Sequence, residues 1–185
     1  LGSPPDFGTL YSGRALEFDG VTDYLSYNTR TSVTNGDDFT LSCWIKPVSS
    51  NSTIWSQESD GSAYGFTWLW FDDGKNQFQW RDAGYTAHDV SSTVGSAPAG
   101  QWHNLVVTWE SQTKITLYVN GVKDGEYTTT ADITLHSGAN IDAETNGYNG
   151  AHSMEGLLSN VQFWDKVWSL SDVQYAYTHP EKLIT

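Results

Sequence analysis

The residues best equipped to meet a ligand crowd into Tyr64–Arg81, YGFTWLWFDDGKNQFQWR, where three tryptophans and three phenylalanines surround an Asp-Asp-Gly turn. A two-residue Asp73-Gly74 loop sets Asp72 opposite Lys75 and thereby fixes the pairing. Trp70 then faces Gln77, Trp68 faces Gln79 and Phe66 faces Arg81. On that register Leu69, Phe71, Phe78 and Trp80 form a core face, while Phe66, Trp68, Trp70, Gln77, Gln79 and Arg81 share the other. Amides and a guanidinium need hydrogen-bond partners when buried, so the second face is expected to be exposed. Its chemistry suits a sugar, with indole faces covering C–H patches while amides and guanidinium bond hydroxyls. A three-residue loop reverses the outcome and gathers Phe66, Trp68, Trp70, Phe78 and Trp80 in the core. The two-residue register is the working expectation.

Catalytic chemistry has less to stand on. Glycoside hydrolysis needs two carboxylates about 5–9.5 Å apart across the scissile bond, and the acid-rich pieces here, Glu58-Ser59-Asp60 and Asp142-Ala143-Glu144, read as loops. The five histidines (His88, His103, His136, His152 and His179) show neither metal spacing nor an obvious nucleophile partner. His103, beside Trp102, reads as structural. A non-enzymatic protein is expected. The net charge of −13 removes the electrostatic basis for binding nucleic acid or an anionic membrane. A cation or a neutral polar ligand fits better, or the acidity serves solubility alone. No apolar run approaches the roughly 20 residues needed to span a bilayer. Cys43, the one cysteine, can form neither an internal disulfide nor a cysteine-rich metal site, and reads as a small buried hydrophobe.

The elements that must position these residues are short and alternating. Gly, Ser, Thr, Asn and Asp abound between apolar runs, the pattern of an all-β sandwich or barrel, and 185 residues suit a single domain, 1–185. After a Pro- and Gly-rich lead-in, Leu1–Gly13, strands are expected at ALEFDG and DYLSY, at Phe39–Lys46 and at Thr53–Gln57. Trp102–Glu110 is apolar enough to be a central strand. Ile115–Asn120 and Val122–Thr128 flank an Asn120-Gly121 turn, a strong hairpin signal. Asn140–Ser153 reads as a long polar loop and Glu155–Trp164 as the last strand. Only Ser169–Tyr177 looks helical, with Ser169 or Ser171 as N-cap and a helix expected over about Ser171–Tyr177. The abrupt start LGSPPDFG suggests a module excised from a larger polypeptide.

FDGVTDYLSY, FTLSCWIKP, WHNLVVTW, LYVNG and EGLLSNVQFWDKVWSLSDV, in that order, resemble laminin-G-like and pentraxin-like domains of the concanavalin A type. The resemblance covers roughly Ala15–Tyr177. It implies two antiparallel sheets in a jelly roll, and a domain that binds glycans or proteins, often with calcium. Asn104–Ser111 looks like the pentraxin signature strand, although Asn104 and Val106 replace its usual His and Cys and the pentraxin disulfide is absent. IDAETNGYNGAHSMEG resembles the pentraxin calcium loop, with Glu144 and Asn146 where acidic ligands are expected and His152 departing from a glutamine. The resemblance brings Asp60 near these, and calcium at Asp60, Glu144 and Asn146 is expected, since calcium takes six to eight oxygens from flexible loops. Turn-making is the alternative role for those residues. Ser159-Asn160 stand where many laminin-G-like relatives carry Asp-Glu, so a metal site using that pair is missing. Hydrolases of this fold similar to laminarinases carry an E-x-D-x-x-E run on one strand, which this sequence lacks. In the pentraxin resemblance the ligand pocket uses the face of the Tyr64–Arg81 hairpin, beside the calcium loop.

These observations together lead to the expectation of a non-enzymatic recognition module binding glycans on an extracellular, cell or virion surface. The alternative is a structural or adhesion module of a larger assembly, making protein–protein contacts without a small ligand.

Overall fold

Alternation in Phe39–Ile45 sends Phe39, Leu41, Cys43 and Ile45 to one side and Thr40, Ser42 and Trp44 to the other, yet all seven are buried. A strand buried on both faces must be covered twice, and the architecture supplies both covers. The computed structural model describes residues 15–27, 36–48, 51–58, 65–71, 73–82, 84, 86–133, 143–144, 153–180 and 182. Its strands, in chain order, are β1 (Leu16–Asp19), β2 (Ser26–Tyr27), β3 (Phe39–Pro47), β4 (Ser52–Glu58), β5 (Gly65–Trp70) and β6 (Asn76–Arg81). They continue as β7 (Ala87–Ser91), β8 (His103–Glu110), β9 (Lys114–Val119), β10 (Val122–Thr128), β11 (Ala143–Glu144) and β12 (Glu155–Trp164), before helix α1 (Leu170–Thr178).

Two six-stranded antiparallel sheets result, one ordered β1-β12-β3-β8-β9-β10 and the other β2-β11-β4-β5-β6-β7. This is the all-β jelly-roll sandwich expected, with a C-terminal helix, the one helix among the described residues. The inner cover is aromatic. Phe39 of the first sheet stacks on Trp109 at 6.0 Å and meets Phe78 of the second at 6.3 Å, while Trp80 meets Trp109 edge-on at 5.4 Å. Offset and edge-to-face pairs of this kind add to the burial that drives the sheets together. Cys43 lies in this core, where burial raises its thiol pKa beyond the usual range.

The outer cover is α1 and the turn before it. Trp168, Val173 and Ala176 form a second apolar cluster with Val106, and Tyr177 stacks on Trp44 at 5.9 Å. Thr40 Oγ1 clamps the approach, donating to Lys166 O at 2.7 Å and accepting from Trp168 N at 3.0 Å. Ser169 is the N-cap and Asp172 completes a capping box. Asn160, at a bulge in β12, has φ +50° and donates to Pro180 O at 2.9 Å. Asn160 is therefore engaged by the chain's own backbone.

The Asn120-Gly121 hairpin forms as the sequence requires: Val119 pairs with Val122, and both turn residues have positive φ. Asn120 also accepts from Asn104 N through Oδ1 at 2.9 Å. His103 beside it is held on both ring nitrogens, Nε2 by Pro98 O at 2.8 Å and Nδ1 by the Asn120 amide at 3.3 Å. Burial lowers its pKa, and the neutral ring suits that pair of contacts. Asn140–Ser153 differs from the expected loop in containing β11, whose two residues pair with both β2 and β4. The lead-in Leu1–Gly13 lies outside the described residues.

Candidate functional site

The β5–β6 hairpin closes one residue away from the expected register. Phe71 N donates to Lys75 O at 2.9 Å and Gly74 N donates to Phe71 O at 2.9 Å, which encloses three residues, Asp72, Asp73 and Gly74. Trp70 then pairs with Asn76, Trp68 with Phe78 and Phe66 with Trp80. A one-residue slip exchanges the faces. Trp68 and Trp70 are consequently core residues, 1% and 0% exposed, alongside Phe78 and Trp80. They are not an exposed platform for a ligand, and the pairing of Phe66 with Trp80 places that position on the same row rather than beside Arg81.

Contacts outside the hairpin account for the wider loop. Ala97 N donates to Gly74 O at 2.8 Å and Gly95 N to Asp73 O at 2.9 Å, so the segment after β7 grips the turn. That segment also supplies Ala97 O, the acceptor for the Trp70 indole at 2.8 Å, while Asn76 Oδ1 accepts from the Trp68 indole at 3.3 Å. An indole with its N–H satisfied can be buried without an orphaned donor.

Gln77, Gln79 and Arg81 do lie on the outer face of the second sheet, as their amides and guanidinium demand. Pairing with β7 sets Gln77 against Ser91, Gln79 against Asp89 and Arg81 against Ala87. The side chains there form a connected network. Gln77 Nε2 donates to Asp89 Oδ2 and to Ser91 Oγ, each at 3.0 Å, and Gln79 Nε2 donates to Gln77 Oε1. Gln79, Arg81 and Asp89 are exposed. Such a face offers hydrogen-bonding groups held in place by one another, which is what recognition of a hydroxyl-rich ligand requires.

At the rim, Asp82 closes the β6–β7 turn. Its Oδ1 accepts from Gly84 N and Thr86 N at 2.9 Å each, and its Oδ2 meets His88 Nε2 at 2.9 Å. The His88 hydrogen bond, followed by that from Thr86, lowers the Asp82 pKa. His88 stacks on Trp80 at 5.2 Å, and Tyr127 of β10, 40% exposed, meets Trp80 edge-on at 5.5 Å. Sequence reasoning missed Asp89 and Ser91 as neighbours of the outer face, and His88 and Tyr127 as the groups that lie against Trp80 on the opposite, inward side. The alternation in Ala87–Ser91 marks a strand, but its partner is a matter of tertiary pairing.

Of the expected calcium ligands, Glu144 is on β11, its backbone paired with Ser26 and Ser56. Asp60 and Asn146 lie outside the described residues. Among the described residues no three His, Cys, Asp or Glu side chains are grouped to hold a metal. Asp19, in the FDGVTD turn, is occupied by the backbone: its carboxylate accepts from Val21, Thr22 and Asp23 N–H groups, which hold its pKa far below the usual carboxylate range.

Comparison with known proteins places this geometry. No curated protein sequence matches the chain. The carbohydrate-binding module CBM40 of the Ruminococcus gnavus IT-sialidase has a similar structure, with TM-score 0.72 and 12% identity over 89% of this chain and 97% of that one. Domain 4 of AbnA, an extracellular arabinanase from Geobacillus stearothermophilus solved with arabinotriose, gives 0.67 and 18% over 89% and 76%. The binding domain of Paraclostridial Mosquitocidal Protein 1 gives 0.69 and 16%, covering 90% of this chain but 43% of that one. The chain thus spans less than half of that toxin binding domain. A family model described as the concanavalin A-like lectin/glucanases superfamily matches residues 19–174, most of the chain, and the protein belongs to that superfamily.

Proposed function

We propose that the protein is a non-catalytic recognition module that binds glycans on an extracellular, cell or virion surface, as one part of a larger polypeptide. The observation that carries this reading is the exposed network of Gln77, Gln79, Asp89 and Ser91, with Arg81 on the same face. Two similar structures support it: one is described in complex with α2,3-sialyllactose and one with arabinotriose. Hydrolysis is not part of the proposal. Calcium, with Glu144, Asp60 and Asn146 as its ligands, is a separate part of the proposal.

A glycan array probed with and without calcium tests both parts. Binding to at least one glycan is expected, reduced in Gln79→Ala, and millimolar calcium is expected to raise the melting temperature, as a ligand selective for the folded state must. Melting that ignores calcium removes the metal but leaves the glycan face. An array with no signal removes the glycan reading.

A second reading, as a protein-contact module, is favoured by one feature. Val21, Tyr24 and Leu25 are 76%, 55% and 43% exposed on the turn that Asp19 fastens. An apolar, rigid tip of this kind suits a protein surface. If Val21→Ser with Tyr24→Ser abolishes cell or particle attachment while Gln79→Ala does not, this reading replaces the first.

A further inference from the structure

The outer face of β6 and β7 is chemically lopsided. Both bonds of the Gln77 amide nitrogen are made inside the network, to Asp89 Oδ2 and Ser91 Oγ, and its oxygen accepts from Gln79. Gln77 is therefore a brace with no N–H left to offer. What remains open at the exposed positions is rich in acceptors: Asp89 Oδ1 and Gln79 Oε1, carried by residues directly across from each other in the ladder. Cross-strand partners of this kind sit about 5 Å apart at Cβ, within the span of two adjacent hydroxyls. Arg81 already has an interaction within the chain, and Lys75 is paired with Asp73 at 3.6 Å and lies over the Phe71 ring.

Sugar hydroxyls donate, whereas an ionised sugar carboxylate only accepts. A vicinal diol can give both its hydrogens to the Asp89 and Gln79 oxygens, and a hydrogen bond to a charged acceptor is among the stronger ones. A sialic or uronic acid brought to the same place sets its carboxylate against that of Asp89. The chain's net charge of −13 acts in the same sense at longer range.

We propose that Asp89, braced by Gln77 and faced by Gln79, is the specificity-determining residue of this surface, accepting from a vicinal diol of a neutral sugar and rejecting acidic glycans. The inference rests on the glycan reading above, and departs from the sialylated ligand described for one similar structure. Calorimetric titration of the whole chain with lactose, α2,3-sialyllactose, arabinotriose and digalacturonic acid tests it, in parallel with Asp89→Asn and, as a control on the other sheet, Lys123→Ala. The expected result is that a neutral sugar binds and its acidic counterpart binds more weakly. Asp89→Asn should weaken the neutral sugar about tenfold, narrow the neutral-to-acidic gap, and melt like the parent. Sialyllactose binding more tightly than lactose overturns the inference, as does an Asp89→Asn variant that keeps full affinity for the neutral sugar. Absence of binding by every sugar to the parent chain removes both the inference and the glycan reading beneath it.

Discussion

Trp68 and Trp70 are buried by the three-residue register, and their indole nitrogens find acceptors in Asn76 Oδ1 and Ala97 O, so that these large apolar rings leave water without orphaning a donor. Each fills the space between the sheets, and truncation leaves a cavity as well as lost burial. Trp68→Ala is expected to cost about 3–5 kcal/mol of unfolding free energy, measured by urea denaturation. Gln79→Ala, on the opposite face, is expected to stay within about 0.5 kcal/mol of the parent. If Trp68→Ala melts like the parent, the three-residue turn is wrong. Residue-scale reasoning was sound for Gln77, Gln79 and Arg81, whose polarity excludes an apolar interior. It failed for the tryptophans, because an aromatic ring is chemically suited both to a core and to a sugar.

At the scale of the element, β12 shows how a strand depends on one backbone position. Gly156 has φ +125° and lies between Phe18 of β1 and Pro47 of β3. A Cβ built there would stand 2.3 Å from Lys46 O, closer than any real contact. Gly156→Ala combines a disfavoured dihedral with a clash against backbone that cannot swing aside. A loss of roughly 2–4 kcal/mol follows, and hydrogen exchange should localise it to amides of β1, β12 and β3. Protection unchanged across those strands would contradict this geometry. The strand itself was legible in EGLLSNVQFW, but the glycine's reason was not, since the carbonyl it avoids is 110 residues earlier in the chain.

The whole molecule couples its stability to pH through groups of opposite chemistry and the same sign, His103 on one side and the carboxylates Asp82 and Asp19 on the other. Burial lowers the His103 pKa below the 6.5 of an unfolded histidine, so the unfolded chain takes up the proton first and stability falls as pH drops below that value. The Asp82 pKa is lowered by His88, so its contribution is complete above the ordinary carboxylate value and lost as pH falls through the folded one. Against both runs the relief of self-repulsion as acidic groups are neutralised on a chain of net charge −13. Salt separates the effects, because it screens the long-range repulsion but not a buried ring. In high salt, melting temperature is expected to be level near pH 7–8 and to decline from about pH 6.5 downward. His103→Gln should flatten the upper part of that decline. A melting temperature that climbs steadily from pH 7 to pH 5 in high salt would show that these groups do not govern the acid limb.

What the amino-acid order determined by itself is whatever rests on local chemistry. Alternation made Phe39–Lys46 and Glu155–Trp164 strands, Asn120-Gly121 could close only a tight hairpin, and Ser169 with Asp172 began the helix. The ordered set of these segments carried the superfamily as well. Tertiary structure decided which face of each strand met the other sheet. The Asp72-Asp73-Gly74 turn could close with two residues or three, and nothing within the hairpin distinguishes them. The choice was made by Gly95 and Ala97, which grip Asp73 and Gly74 from the segment beyond β7. The same long-range pairing brought Asp89 and Ser91 beside Gln77 and Gln79. A strand's period is set by its own residues, but its register is set by partners that the chain reaches only on folding.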